Sequence, residues 1–104
     1  MTEGQNQISP DVLARYAGDA AREVAGVAGL AEGSLHRDRA IDISHANGAA
    51  SVTVRVELEW GSSAADVARE VQVRVAEYLG RMANLTVRSV DVVIDGVGVQ
   101  PAKQ

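Results

Sequence analysis

The clearest pattern in the chain is the alternation that runs from Val52 to Trp60. Val52, Val54, Val56, Leu58 and Trp60 fall on one side, and Thr53, Arg55, Glu57 and Glu59 fall on the other. A period of two with one apolar and one polar set is the mark of a half-buried strand. A shorter alternation precedes it, with Ile41 and Ile43 set against Asp42 and Ser44. Asn47-Gly48 lies between the two and predicts a two-residue hairpin turn, because both central positions of such a turn need φ > 0. Further on, Val90, Val92 and Ile94 oppose Ser89, Asp91 and Asp95 and predict a third strand.

Two other stretches change period to that of a helix. Val12, Leu13, Tyr16, Ala17, Ala20 and Val24 form an apolar stripe, and Ser9-Pro10-Asp11 supplies a cap, a first-turn proline and an acid at the positive end. Asp11, Arg15 and Asp19 are spaced to pair along one face, and Gly26 and Gly29 predict an end near Val27. A second helix is expected after Gly61, capped by Ser62 or Ser63. Its stripe is Ala64, Val67, Ala68, Val71, Val75, Tyr78, Leu79 and Met82. Glu70–Arg74 and Glu77–Arg81 are i,i+4 pairs on its exposed side, and Asn84 stands where it should stop. Gln72 flanks the stripe as a partly buried amide bonding the first helix or a loop, or as an interface contact.

The predicted order is αββαβ, an α+β fold in two layers. A three-stranded mixed sheet would carry two helices on one face, its first two strands antiparallel and its third parallel after a helical crossover. Residues 8–99 form one domain in this reading. The polar segment 1–7 and the tail 100–104 are expected to be disordered, and residues 31–39 to be a mobile connection.

That arrangement leaves one sheet face open, carrying Asp42, Ser44, Thr53, Arg55, Glu57, Glu59, Asp91, Val93 and Asp95: five acids and one arginine. The face is either simply solvated, as is common for antiparallel pairs, or a docking surface. As a candidate interface it comprises Asp42, Arg55, Glu57, Glu59, Asp91 and Asp95, with Trp60 at the strand end. Trp60 itself, the last inward residue, is expected to plug the core beneath the second helix, or else to stand at the rim as an anchor for a partner.

Composition sharpens the picture in three ways. Ala (17) and Val (16) supply most of the 46% hydrophobic residues and Phe is absent, so close layers are expected rather than the aromatic-lined pockets that hold cofactors. The net charge of −4 disfavours phosphate backbones, which reward clustered basic residues. The chain has no cysteine, hence no disulfide, thiolate metal site or thiol nucleophile. The start MTEGQNQ lacks the features of a signal peptide, no apolar run is long enough to span a bilayer, and a cytoplasmic location is expected.

Candidate chemistry is sparse. His36 with Asp38, or His45 with Asp42, could suggest a metal or acid–base pair, but a metal site needs three or four converging ligands. Ordinary surface histidines are the simpler reading. The acids of the open face could attract a divalent cation, although alternate carboxylates on a strand chiefly serve solubility. Gly26-Val27-Ala28-Gly29 follows a helix, whereas a nucleotide loop follows a strand and opens a helix. No catalytic residue, cofactor or metal is therefore assigned.

Four stretches together resemble the alkaline-shock-protein family of bacterial envelope stress response proteins. They are Ala21-Arg22-Glu23-Val24-Ala25-Gly26-Val27-Ala28-Gly29-Leu30, the strand from Val52 to Trp60-Gly61, Val67 to Val75 with its Val71-Gln72, and Met82-Ala83-Asn84-Leu85-Thr86-Val87. Val90-Asp91-Val92 and Asp95-Gly96-Val97 follow. The series runs from about Ile8 to Val99. Departures are Trp60 for a usual tyrosine, Ala83-Asn84 for a usual Thr-Gly, and Ser62-Ser63-Ala64-Ala65 at the start of the second helix.

The resemblance implies a non-enzymatic, oligomerising envelope stress protein, often held near the membrane by a separate membrane-anchored partner. The runner-up is a small nucleic-acid-binding α/β module. An enzyme built on His36 or His45 is the third reading.

Overall fold

A computed structural model describes residues 9–31 and 40–98. The terminal segments expected to be disordered, and all but Ala31 of the expected 31–39 connection, lie outside the described residues. In chain order the elements are α1 (Pro10–Arg22), β1 (Val27–Leu30), β2 (Ile41–Ala46), β3 (Ala49–Leu58), α2 (Ala64–Ala83) and β4 (Thr86–Val97). The fold is α+β in two layers, with both helices against one face of a four-stranded sheet.

β3 is the centre of the sheet. Its first half pairs antiparallel with β2 and its last residues pair antiparallel with β1, both along the same edge. The other edge runs parallel to β4 over nearly its whole length. β1 and β2 therefore act as one strand split into two. Ala31 donates to the Arg55 carbonyl (2.9 Å), and the Arg55 N–H donates to Ala40 (2.8 Å), so the chain leaves and rejoins the ladder at a single residue of β3.

The hairpin forms where the sequence places it, with Asn47 at φ 57° and Gly48 at φ 81°. Ser9 and Ser63 cap the two helices through their side chains, accepting from Val12 and Asp66. Asn84 closes α2 in the left-handed region. Glu70 pairs with Arg74 as expected (3.4 Å), while Asp19 pairs with Arg22 (3.1 Å). Val52, Val54 and Val56 meet Leu13, Ala17, Val71, Val75 and Leu79 in a core of nearly zero exposure. Tyr16 and Tyr78 meet edge-to-face between the helices (5.8 Å).

Three features differ from the sequence reading. First, α1 ends at Arg22, not near Val27, and Val27–Leu30 forms a fourth strand. Gly26 is the reason. It turns the chain at φ 98°, and a Cβ there would lie 2.5 Å from Val67 Cγ2 at the start of α2. The Gly26 carbonyl then accepts from Glu59, tying the new strand to β3. A four-residue strand beginning next to a glycine leaves little periodicity to read. Second, β4 extends through Gly96 to Val97.

Third, Trp60 does not plug the core; it is 54% exposed. β3 ends at Leu58, and Ser62 N–H donates to the Glu59 carbonyl (3.1 Å) across a turn with Gly61 at φ 89°. Once the chain turns, alternation no longer governs where Trp60 points.

Gly26→Ala is expected to cost about 2–4 kcal/mol, from left-handed strain added to the clash with Val67. Leu79→Ala is expected to cost about 2–5 kcal/mol through the cavity it leaves. Urea denaturation of the two variants checks both. Trp60→Ala should change stability by less than about 0.5 kcal/mol, and the wild-type Trp60 fluorescence should be readily quenched by acrylamide.

Candidate docking face of the sheet

The open face is ordered in rows because strand register places residues side by side. Ser44, Ser51 and Ser89 share one row, and Asp42, Thr53 and Asp91 share the next. Arg55 lies beside Val93, and Glu57 lies beside Gly29. The Glu57 side chain runs over Gly96, where an added Cβ would sit 3.5 Å from Glu57 Cγ. Asp42, Glu57, Glu59, Asp91 and Asp95 are all exposed, whereas Thr53, Arg55 and Val93 in the middle are half-buried. The face is thus a shallow band of small or half-covered side chains rimmed by carboxylates.

The candidate interface residues are therefore brought together in part. Asp42, Arg55, Glu57, Asp91 and Asp95 share the face through β2, β3 and β4. Glu59 and Trp60 lie in the turn beyond β3, at the sheet end where Val97 opposes Leu58. Val97 is 55% exposed, so Trp60 and Val97 add apolar surface to that end.

The arrangement does little for direct chemistry. Asp42 and Asp91 flank Thr53 on opposite sides, their backbones about 10 Å apart at two strand spacings. Among the described residues no cluster of three or more His, Asp or Glu could hold a metal. His45 is three residues from Asp42 on the same strand, so alternation sends the two to opposite faces. It borders a shallow cleft of about 220 Å³ with Ser44, Ala46, Ala49, Ser51 and Arg88. His36 and Asp38 lie outside the described residues. Among the described residues no polar or charged side chain is buried.

Gln72 has a role that spacing could not show. Its amide Nε2 donates to the carbonyl of Val90 in β4 (3.0 Å), neither the first helix nor a loop. The bond joins α2 to an element eighteen residues away, so only tertiary packing reveals it.

A family model matches residues 1–99, nearly the whole chain, and describes a cell envelope-related function. The chain belongs to the alkaline shock protein family. The resemblance carried by the Val52–Gly61 strand and the Val71-Gln72 helix is borne out. No curated protein matches the sequence.

Solved structures resemble it in fold. A MamM CTD variant in a manganese form superposes with a TM-score of 0.67 at 14% identity, covering 94% of this chain and 96% of its own. A MamM CTD in a copper form gives 0.63 at 12% identity, covering 91% and 93%. A zinc form gives 0.62 at 14% identity, covering 89% and 91%. At these identities the likeness shows the fold alone, and the metals belong to those proteins. No helix of the described residues is long and apolar enough to cross a membrane.

Asp42→Asn combined with Asp91→Asn is expected to leave stability unchanged or raise it slightly, since like charges flanking one strand repel. Thermal melts at low and high salt check this, the difference from wild type shrinking as salt screens the pair.

Proposed function

We propose that this is a non-enzymatic envelope stress response protein that works by docking on its own copies and on a membrane-anchored protein, from the cytoplasmic side. The observation that carries the reading is the open sheet face, where five exposed acids surround a half-buried centre and an exposed tryptophan stands at one end. Membership of a family with a cell envelope-related function gives that face a setting.

Two physical arguments support docking over catalysis. Catalytic groups are commonly tuned by burial beside other charges, and among the described residues every ionisable side chain of the face is at least partly in water. A flat, rimmed band with an aromatic at its end has the makeup of an interface, where charge selects the partner and a few apolar anchors supply most of the affinity.

The sign of the charge narrows the partner. A cytoplasmic membrane surface is negative and would repel the face. Juxtamembrane segments of membrane proteins on that side are rich in Lys and Arg, and would attract it. A membrane-anchored partner offering such a segment therefore fits better than the lipid itself. Arg55 alone among five acids also makes the face a poor nucleic-acid platform, which would display basic and aromatic side chains.

The test is sedimentation of the native protein with envelope membranes, together with light scattering of the purified protein. Wild type should co-sediment and form species above the monomer. Asp42→Lys combined with Glu57→Lys and Asp91→Lys should remain folded and lose most of the membrane-fraction protein. A strict monomer recovered free of membranes would overturn the reading, as would a salt-sensitive shift of RNA or DNA at micromolar protein.

A further inference from the structure

The two long edges of the sheet are unlike each other. The β1/β2 edge is broken where the chain departs at Ala31 and returns at Ala40. The β4 edge is continuous, and among the described residues β4 pairs only with β3.

The direction of the unpaired groups follows from the ladder. Arg55 turns both its N–H and its carbonyl toward the β1/β2 side, so Val52, Val54 and Val56 turn theirs toward β4. In a parallel pair, the residues directly across from them turn their own groups away. These are Val90, Val92 and Ile94, which present N–H and C=O groups outward. The Gln72 amide occupies the Val90 carbonyl.

An edge of this kind is a template for another strand, and stable monomers commonly block it with proline, lysine or a bulge. Ser89 to Asp95 contains neither proline nor lysine. The irregularities in pairing with β3 fall outside Ser89–Ile94. Val92 and Ile94 are only half-buried on the helix side, while Val54 and Val56 across from them are fully buried. The core thus stops short at this edge.

We propose that β4 pairs antiparallel with β4 of a second copy, in the register centred on Val92. This rests on the self-association reading above and names the surface. The edge's own charges choose the register. With Val92 opposite Val92, Val90 meets Ile94, Asp91 meets Val93 and Ser89 meets Asp95, where the serine hydroxyl can donate to the carboxylate. Sliding by one residue on each strand sets Asp91 against Asp91, or Asp91 against Asp95, and like charges directly opposite are unfavourable. Slides twice as far use only part of the regular run from Ser89 to Ile94.

The pairing has two structural consequences. It keeps both helical layers on one side, so the two acidic faces become one continuous surface. In the single copy Gln72 holds the carbonyl that Ile94 N–H of the second copy would take, so its amide swings aside on pairing.

Sedimentation equilibrium and residue-resolved amide exchange test this on the full chain. A dimer is expected, with the Val92 and Ile94 amides protected at high concentration and exchanging freely on dilution. Val92→Pro removes an outward donor that no bond among the described residues uses, and should weaken dimerisation at least roughly tenfold. Val93→Lys puts the introduced lysine across from Asp91 in this register and should tighten the dimer roughly two- to fivefold. In the register centred on Val93 it would set lysine against lysine and weaken it.

A dimer whose Val92 and Ile94 amides exchange freely overturns edge pairing while leaving self-association intact. A chain that stays monomeric at its highest soluble concentration overturns both edge pairing and self-association, while membrane co-sedimentation reports separately on the anchored partner. Should Val92→Pro fail to fold, the exchange pattern of the wild type decides.

Discussion

Every element of this protein is held through β3. Its inward residues Val52, Val54, Val56 and Leu58 are buried to within a few per cent, and its backbone is shared by three other strands. Burying a valine or leucine contributes about 1.5–3 kcal/mol, so this one alternating stretch anchors both helices to the sheet. A shift of one residue in its register would turn all four into solvent and the polar set into the core. That constraint also fixes the open face, because the residues between the buried ones have only one place to go.

The same strand divides the molecule into parts with different duties. Its helix side is filled by small, stiff side chains that pack closely and leave no polar group buried among the described residues. Its other side carries a carboxylate-rimmed band. At its flank, among the described residues, β4 ends the sheet with unpaired backbone groups and a partly exposed core. Face and edge are compatible surfaces. The proposed partner on the open face and the proposed second copy on the β4 edge would approach from different directions, and pairing at the edge would enlarge the face.

The comparisons and the geometry bear on different levels of this picture. Family membership places the chain in a cell envelope setting. The likeness to MamM CTD structures, at TM-scores of 0.62 to 0.67, speaks for the backbone arrangement and carries nothing of their metal chemistry. The proposed docking surfaces therefore rest on this chain's own residues: the rows at Asp42–Thr53–Asp91 and Arg55–Val93, and the outward groups of Val92 and Ile94.

Much of the architecture was legible in the sequence, because its causes are local. The alternation at Val52–Leu58, the Asn47-Gly48 turn, the Ser9 and Ser63 caps and the left-handed Asn84 each follow from the conformations those residues favour, whatever surrounds them. The acidic face followed once alternation was known. What tertiary structure decided has causes distant in sequence. The turn at Gly26 between α1 and β1 requires glycine because Val67, forty-one residues away, leaves no room for a Cβ. Trp60 is the exception, leaving the core through a local turn from Glu59 to Ser62 that overrides the alternation before it. Gln72 finds the Val90 carbonyl only when α2 is laid beside β4. The sequence by itself determined which residues of β3 from Val52 to Leu58 face inward and what charge faces outward. Which edge of the sheet stays open depends on how β1, β2 and β4 share the two sides of β3, and that is a matter of long-range pairing no local preference encodes.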